Sequence, residues 1–142
     1  MEKSNFKVIV ANPEHIEDLR ELTKQLVEGL GQKFDPKRFD WGIRRRLFDP
    51  LQRHGILIAI DESSDKIMGM IIAELRIDPF GLSEGYIKQF FLKDEYRGKG
   101  YGQILLQKAL DHLKKIKFLF SLIIFYIYLV KPIKRAFLFC CY

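Results

Sequence analysis

A glycine-rich segment, Arg97-Gly98-Lys99-Gly100-Tyr101-Gly102, is the part of this chain whose residue types point most directly to chemistry. Its three glycines leave room for a ligand to approach the backbone and permit the positive φ angles of a sharp turn. The residues from Gln103 onward predict a helix, and the first amide groups of a helix have no acceptor within it. Such a helix start binds phosphate oxygens through its N–H groups and its dipole. The segment therefore predicts an anion-binding loop, to which Arg97 and Lys99 add positive charge.

Regular apolar patterns flank this loop on both sides. The run from Tyr86 to Leu92 is typical of a β-strand, and residues 103–116 repeat apolar side chains at helical spacing. The helical stripe consists of Leu106, Ala109, Leu110 and Leu113. This setting favours a ligand-binding loop over an ordinary glycine turn at a strand end. The chain has no GxxxxGK[ST] pattern, which argues against a nucleotide-hydrolysing P-loop.

Three further runs upstream of the loop have the composition of strands. They cover Phe6–Ala11, Gly55–Ile60 and Ile67–Ile77. A polar hairpin loop joins the last two runs, so these should pair antiparallel. The run from Ile56 to Ile60 is apolar at every position, which predicts a central strand with both faces covered.

Two helices are expected between the first and second of these runs. Asn12-Pro13-Glu14 combines an N-cap residue, a proline at the first helical position and an acid in the first turn. The apolar stripe of this helix consists of Ile16, Leu19, Leu22, Leu26 and Leu30. A second, shorter helix is expected over residues 36–49, because Pro50 closes the helical pattern there.

Length and charge limit the function classes that need to be considered. The 142 residues suggest one domain, and the 48% hydrophobic and 30% charged composition is that of a globular protein. A formal charge of +6 suits an anionic ligand. Because basic and acidic residues alternate over most of the chain, we expect no nucleic-acid partner.

The cysteines and histidines indicate neither a disulfide framework nor a metal site. Cys140 and Cys141 are adjacent near the end of the sequence, and the three histidines lack metal-ligand spacing. The first five residues, Met1 to Asn5, are not followed by the apolar segment of a secretory signal. These features predict a reduced, cytoplasmic protein without a bound metal.

The loop and the order of the elements together resemble the GNAT superfamily of acyl-CoA-dependent N-acyltransferases. In that family the order of elements is a strand, two helices, three strands, a glycine loop and a helix. The resemblance covers about residues 6–116. Its loop pattern of Gln or Arg, two residues, Gly, any residue, then Gly or Ala is met by Arg97, Gly100 and Gly102. The resemblance implies a single N-acetyltransferase-like domain over residues 1–142, with an α/β (α+β) fold whose mixed, mainly antiparallel sheet is flanked by helices.

The same resemblance implies acetyl-CoA as the cofactor. The backbone amides of residues 98–103 would hold the coenzyme A pyrophosphate, while residues 90–92 would pair through their backbone with the pantetheine arm at a bulge in the strand. The Leu92 amide, or a neighbouring amide, would donate to the thioester oxygen. The implied cofactor-binding residues are Phe90, Phe91, Leu92, Arg97, Gly98, Lys99, Gly100, Tyr101, Gly102 and Gln103.

The implied reaction is direct attack of a primary amine on the thioester within a ternary complex. An ammonium resembling a lysine side chain has a pKa of roughly 10, so a base is needed. Some family members carry this carboxylate at the position of Glu84; others carry it four residues later, where this chain has Lys88. Lys88 cannot act as a carboxylate base and Gln89 cannot titrate. Glu84 is therefore the catalytic candidate, acting directly or through water, and a solvated residue at a strand start is the alternative.

The acceptor amine is not specified by the sequence. Small-molecule amines and peptide amines both fit, and a non-catalytic acyl-CoA-binding or regulatory module with a degenerate or truncated acceptor site is the alternative function. Trp41 lies in the helical region from which the family builds part of its acceptor site. The adjacent Arg44-Arg45-Arg46 point in different directions on a helix and predict a solvated face.

The C-terminal end departs from the family pattern over residues 118–142. The run Phe118–Val130 contains no charged residue, and a helix of its length would reach about 20 Å, short of the roughly 30 Å hydrocarbon core. We therefore do not expect a membrane span, and favour a strand over about residues 118–128. An end altered by truncation or a frameshift is the remaining explanation. An apolar end of this kind is also an aggregation hazard or a homodimer surface.

Overall fold

The computed structural model of this chain describes residues 5–77, 79, 83–115 and 119–120. In chain order the regular elements are β1 (Phe6–Val10), α1 (Ile16–Gly29), α2 (Pro36–Phe48), α3 (Pro50–Arg53), β2 (Ile56–Asp61), β3 (Lys66–Ile77), β4 (Ser83–Leu92), α4 (Tyr101–Lys115) and β5 (Leu119–Phe120). Short 3₁₀ turns, Pro13–His15 and Asp94–Tyr96, precede α1 and the glycine loop. The predicted order of strands and helices is thus observed, except that the short α3, which begins at Pro50, is an additional helix after α2.

The strands form one sheet in the order β1-β2-β3-β4-β5. The pairs β1–β2, β2–β3 and β3–β4 are antiparallel. β5 pairs in parallel with β4 at Glu84 and Gly85. The predicted mixed, mainly antiparallel sheet is confirmed. β2 lies inside the sheet and is buried from Ile56 to Ile60, which confirms its central position.

Helices cover both faces of the sheet and enclose a core on each. Because side chains alternate along β2, Ile56 and Ile58 face one core and Leu57 and Ala59 the other. The first core contains buried residues of α1, α2 and the sheet, among them Leu19, Leu22, Leu26, Ile43, Leu47, Met70 and Phe91. The second core lies beneath α4 and contains Met68, Ile71, Leu92, Tyr101, Leu105, Ala109 and Leu113.

The start of α1 combines two kinds of turn. The Asn12 side chain accepts a hydrogen bond from the Glu14 amide at 3.0 Å, and the Asn12 amide donates to His15 Nδ1 at 3.1 Å. This capping pattern begins the 3₁₀ turn, so the predicted cap is observed but the α-helix itself starts only at Ile16. At the other end Leu30 is 43% exposed and lies outside the apolar face to which its spacing had assigned it.

Helix α4 begins at Tyr101, two residues before the predicted start at Gln103. The buried stripe is correspondingly Tyr101, Leu105, Ala109 and Leu113, spaced by four residues. The predicted Leu110 is also buried, whereas the predicted Leu106 is only half-buried. Gly100 rather than Gly102 therefore precedes the helix, and Gly102 lies in its first turn.

The described part of the C-terminal end is β5, which falls within the strand predicted over residues 118–128. Residues 121–142 lie outside the described residues, and with them the predicted homodimer surface and most of the predicted strand. In the described part of the chain, no helix combines the length and apolar character that crossing a bilayer requires.

Candidate active site

The glycine loop adopts the backbone geometry that its composition predicts. Gly98 and Gly100 have φ angles of 75° and 86°, in the left-handed region that favours glycine. A Cβ atom placed on either residue would meet no other atom within 4 Å, so the space beside the backbone is open. The loop therefore presents bare backbone to solvent at the end of β4.

The first amides of α4 provide donors beside this open space. The Ile104 amide donates to the Gly100 carbonyl at 3.4 Å. Within the described residues, the amides of Tyr101, Gly102 and Gln103 donate to no acceptor. Three unpaired amides at the positive end of a helix of 15 residues fit the pyrophosphate of coenzyme A.

The side chain of Arg97 fastens the end of β4 to the loop. Its Nε donates to the Leu92 carbonyl at 2.8 Å, its Nη1 lies 2.7 Å from Asp94 Oδ1, and its guanidinium lies 5.6 Å from the centre of the Phe91 ring. Because these contacts occupy the guanidinium, Arg97 contributes to the loop chiefly by fixing its geometry. The exposed Lys99 is the other cation of the segment.

Aromatic rings hold the first turn of α4 against the sheet. The buried Tyr101 ring packs edge-on against Phe6 at 4.9 Å and against Tyr96 at 6.4 Å between ring centres. On the next residue, a Cβ atom at Gly102 would lie 3.2 Å from Cζ of Phe90. The structure thus brings Phe90 and the glycine loop together, as the sequence predicts.

Strand β4 has one edge paired with β3, where Phe90, Phe91 and Leu92 lie opposite Ile71, Met70 and Gly69. Along its other edge, β5 pairs within the described residues only with Glu84 and Gly85, at the far end of the strand. A register shift also leaves Lys88 as an extra residue, since Gln89 pairs with Ile72 and Ile87 with Ala73. The predicted bulge is present, but at Lys88 rather than at residues 90–92.

The candidate base Glu84 lies on β4 beside a tyrosine. Glu84 and Tyr86 are two residues apart and share one face of the strand, and the Tyr86 hydroxyl donates to Glu84 Oε2 at 2.5 Å. This hydrogen bond, followed by burial and the negative charge of Glu84, raises the pKa of Tyr86, while the nearby Arg76 opposes the shift. Tyr86 is therefore a neutral hydrogen-bond donor at physiological pH.

A half-buried carboxylate, Glu74, lies next to this pair and is surrounded by cations. Its Oε2 lies 2.6 Å from Arg46 Nη2 and 3.4 Å from Lys88 Nζ, and its Oε1 lies 3.7 Å from Arg76 Nε. Arg76 also lies over the Tyr86 ring, 4.5 Å from its centre. We call Glu74, Arg46, Arg76, Lys88, Tyr86 and Glu84 the polar cluster.

Sequence reasoning missed most of this cluster. Tyr86 could have been found, because a residue two positions from Glu84 on a strand shares its face. Arg46 was expected on a solvated helix face, but its side chain is only 17% exposed and paired with Glu74. The prediction of a solvated face is correct for the exposed Arg44 and Arg45, and wrong for Arg46, because the last turn of α2 packs against the sheet.

A further candidate from the sequence, Trp41, lies at the surface of α2. It is 69% exposed, and the guanidinium of Arg45 lies 5.6 Å from its ring centre. Among the described residues, no three His, Cys, Asp or Glu side chains come together as a metal site would require.

Comparisons with known proteins agree on the family. The sequence profile of the acetyltransferase (GNAT) family matches residues 16–125. A search of curated protein sequences finds no significant match. The fold is similar to Arabidopsis thaliana Naa50 in complex with the bisubstrate analogue CoA-Ac-MVNAL, with 21% identity and a TM-score of 0.57 over 78% of this chain. This chain spans 65% of the length of the Arabidopsis chain.

Two other solved structures have higher TM-scores. An integron cassette protein from the mobile metagenome of Cole Harbour Salt Marsh has 17% identity and a TM-score of 0.71, covering 94% of this chain and 89% of that one. A GNAT family acetyltransferase of Staphylococcus aureus has 20% identity and a TM-score of 0.63, covering 81% and 82%. At these identities the likeness establishes the fold.

Proposed function

Because the chain belongs to the GNAT acetyltransferase family, we propose that it is a single-domain, acetyl-CoA-dependent enzyme that transfers an acetyl group to a primary amine. Family membership supports N-acetyltransferase activity in general and a coenzyme A cofactor. The observation that carries the proposal for this chain is the open glycine loop, which leads into a helix start with three unpaired amides. A cytoplasmic location stays a prediction.

The cofactor-binding part of the site is built mainly from backbone groups. The amides of residues 98–103 would hold the pyrophosphate, and the edge of β4 that faces away from β3 at Phe90, Phe91 and Leu92 would pair with the pantetheine arm. Acetyl-CoA would supply an acetyl thioester whose carbonyl carbon is open to attack by an amine. Arg97 supports this end by holding the Leu92 carbonyl and the loop in one arrangement.

The proton acceptor in this proposal is Glu84, acting through Tyr86. Glu84 lies six residues before Phe90, about 20 Å along an extended strand, whereas Tyr86 lies about 13 Å away and has a long side chain. The Tyr86 oxygen would take a proton from the amine or from a bridging water while its own proton moves to Glu84. Glu84 is the base and Tyr86 relays the proton to it.

The acceptor class is a primary amine on a small molecule or a peptide. The Arabidopsis structure contains an analogue that joins coenzyme A to a peptide. In this chain, the side chains on the acceptor side of β4 come from α2, β3 and β4 and form the polar cluster.

The proposal is tested by cofactor binding and by turnover. We expect coenzyme A to raise the melting temperature of the protein, and a panel of amines to release free thiol from acetyl-CoA. Glu84→Gln should lower kcat by about 100-fold, because general-base catalysis of this kind contributes about that much. Glu28→Gln, an exposed acid on α1, is the matched control and should leave kcat unchanged.

The outcomes separate the enzyme from the alternative. Failure of millimolar coenzyme A to shift the melting temperature would contradict the cofactor assignment. Coenzyme A binding without thiol release for any amine would favour the non-catalytic binding module. A Glu84→Gln variant as active as the Glu28→Gln control would remove Glu84 from the mechanism.

A further inference from the structure

We infer that the acceptor carries an anionic group, a carboxylate or a phosphate, close to its amine, and that Arg76 and Lys88 bind this group. The inference rests on the proposed function, because it concerns the acceptor side of the same site. It is carried by the composition and the geometry of the polar cluster.

Arg76 lies beside the proposed proton acceptor. In the β3–β4 pairing it is the residue directly opposite Glu84, and such partners have Cβ atoms about 5 Å apart. Its guanidinium also lies over the Tyr86 ring, 4.5 Å from the centre. An amine held at Glu84 and Tyr86 would therefore have a cation next to it.

The cluster contains more cations than carboxylates. Three cationic side chains, Arg46, Arg76 and Lys88, pair with Glu74, and Arg76 is also the strand partner of the second carboxylate, Glu84. Arg46 makes the shortest contact with Glu74, at 2.6 Å, and both side chains are largely buried, at 17% and 16% exposure. This ion pair satisfies Glu74 to a large extent without the other two cations.

Lys88 and Arg76 are the cations positioned to reach a ligand. They lie farther from Glu74, at 3.4 and 3.7 Å, and their side chains are 32% and 45% exposed. A carboxylate or a phosphate would accept hydrogen bonds from both cations. An arginine guanidinium can bind either anion through two parallel hydrogen bonds.

The arrangement suits a zwitterionic acceptor. The ammonium of such a molecule would lie at Glu84 and its anionic group at Arg76, across one strand pair. A peptide N-terminus has a neutral amide next to its amine and would leave the surplus positive charge of the cluster without an anion. The cations would also favour the neutral form of the bound amine, which is the nucleophile.

The experiment compares amines matched in all but the anion. We would measure kcat/KM for α-amino acids against their amides, and for phosphoethanolamine against ethanolamine, which separates carboxylate from phosphate. In at least one pair we expect the anionic member to be preferred by about tenfold or more, since a hydrogen-bonded ion pair gives discrimination of that order. The preference should arise mainly from KM.

Variants assign the preference to the cluster. Arg76→Gln should reduce kcat/KM for the preferred anionic acceptor by about tenfold and leave its neutral partner within about twofold. Lys88→Gln should act in the same direction. Arg53→Gln removes an equal charge from the exposed end of α3 and should preserve the preference. The coenzyme A thermal shift checks that each variant is folded.

Equal or better rates with the neutral amines would overturn the inference, and so would equal losses for both classes in Arg76→Gln. If the wild type binds coenzyme A and acetylates neutral amines without preference, the inference fails and the proposed function stands. If coenzyme A does not bind, both fail together.

Discussion

The two ends of β4 present different kinds of polar group, backbone amides at one end and side chains at the other. At its C-terminal end, the loop and α4 offer backbone amides, and side chains serve to hold the backbone in place. At its N-terminal end, side chains from α2, β3 and β4 face one another in the polar cluster. The backbone donors of the first end come from one contiguous stretch of sequence, which Phe6 of β1 packs against, whereas the second end exists only after three elements have packed together.

Gly100→Glu should have the largest effect and should affect only the cofactor end. A side chain at φ 86° is strained by about 1–2 kcal/mol, and its carboxylate would lie beside the amides that we propose as the pyrophosphate site. We expect coenzyme A affinity to fall by more than about 100-fold by calorimetry. Gly42→Ala, in α2, is the control and should stabilise the fold by about 0.5–1 kcal/mol without changing affinity. If Gly100→Glu kept its affinity for coenzyme A, the glycine loop would not be the cofactor end of β4.

Arg46→Met tests whether the acceptor end depends on the packing of α2. Removing the guanidinium leaves the half-buried Glu74 without its shortest partner, which should cost about 2 kcal/mol of unfolding free energy in urea. Arg44→Met, on an exposed position of the same helix, should cost less than about 0.5 kcal/mol. Equal losses in the two variants would show that the ion pair does not join α2 to the sheet.

Tyr86→Phe removes a single hydroxyl from the polar cluster. We expect kcat to fall by about tenfold, less than in Glu84→Gln, because a water molecule can take the place of the hydroxyl in the path to Glu84, and we expect an unchanged thermal shift by coenzyme A. The double variant with Glu84→Gln should be no slower than Glu84→Gln alone, because the two residues act in series. Tyr96→Phe is the control, because it removes a tyrosine hydroxyl outside the polar cluster and keeps the ring beside the loop; its kcat should be unchanged. Independent, multiplying losses for Tyr86 and Glu84 would contradict the relay.

The smallest expected effect is that of His112 on the pH dependence of stability. His112 lies on α4, the helix that follows the glycine loop. Burial, followed by the nearby His54 and Lys115, lowers the pKa of His112 below its usual 6.5. The unfolded chain therefore binds the proton more readily, so stability is complete above pH 6.5 and declines as the pH falls through the folded-state pKa. Melting temperatures between pH 8 and about pH 5 should show this decline, and His112→Gln should reduce it. If the melting temperature of His112→Gln declined with pH as steeply as that of the wild type, His112 would be excluded as the source of the decline.

The geometry of the glycine-loop end could be predicted from sequence because its main determinants are local. Positive φ at Gly98 and Gly100, the strand before them and the helix after them each leave a pattern within a few residues. The start of α4 was placed two residues late because Gly102 resembles part of the turn, although it lies in the first helical turn next to Phe90. The buried Leu105 was missed for the same reason, since the helical stripe is counted from Tyr101.

The acceptor end could be predicted only in part. Glu84 was proposed from the family resemblance and stays a prediction, and the neighbouring Tyr86 follows from the alternation of side chains along a strand. Arg46 and Glu74 are 28 residues apart, and nothing local in either segment specifies their contact. The position of the bulge at Lys88 likewise depends on the pairing of β4 with β3, which one strand alone does not determine.

The contact of Tyr101 with Phe6 has a consequence for the kinetics of cofactor binding. Because β1 and the edge-on rings anchor the first turn of α4, this turn is ordered before any ligand arrives. The conformational entropy of its residues, about 1–2 kcal/mol each, has already been lost during folding and does not weaken the complex. Association should then be limited by diffusion and orientation rather than by loop ordering, because Phe6 of the first strand already holds the first turn of α4 in place.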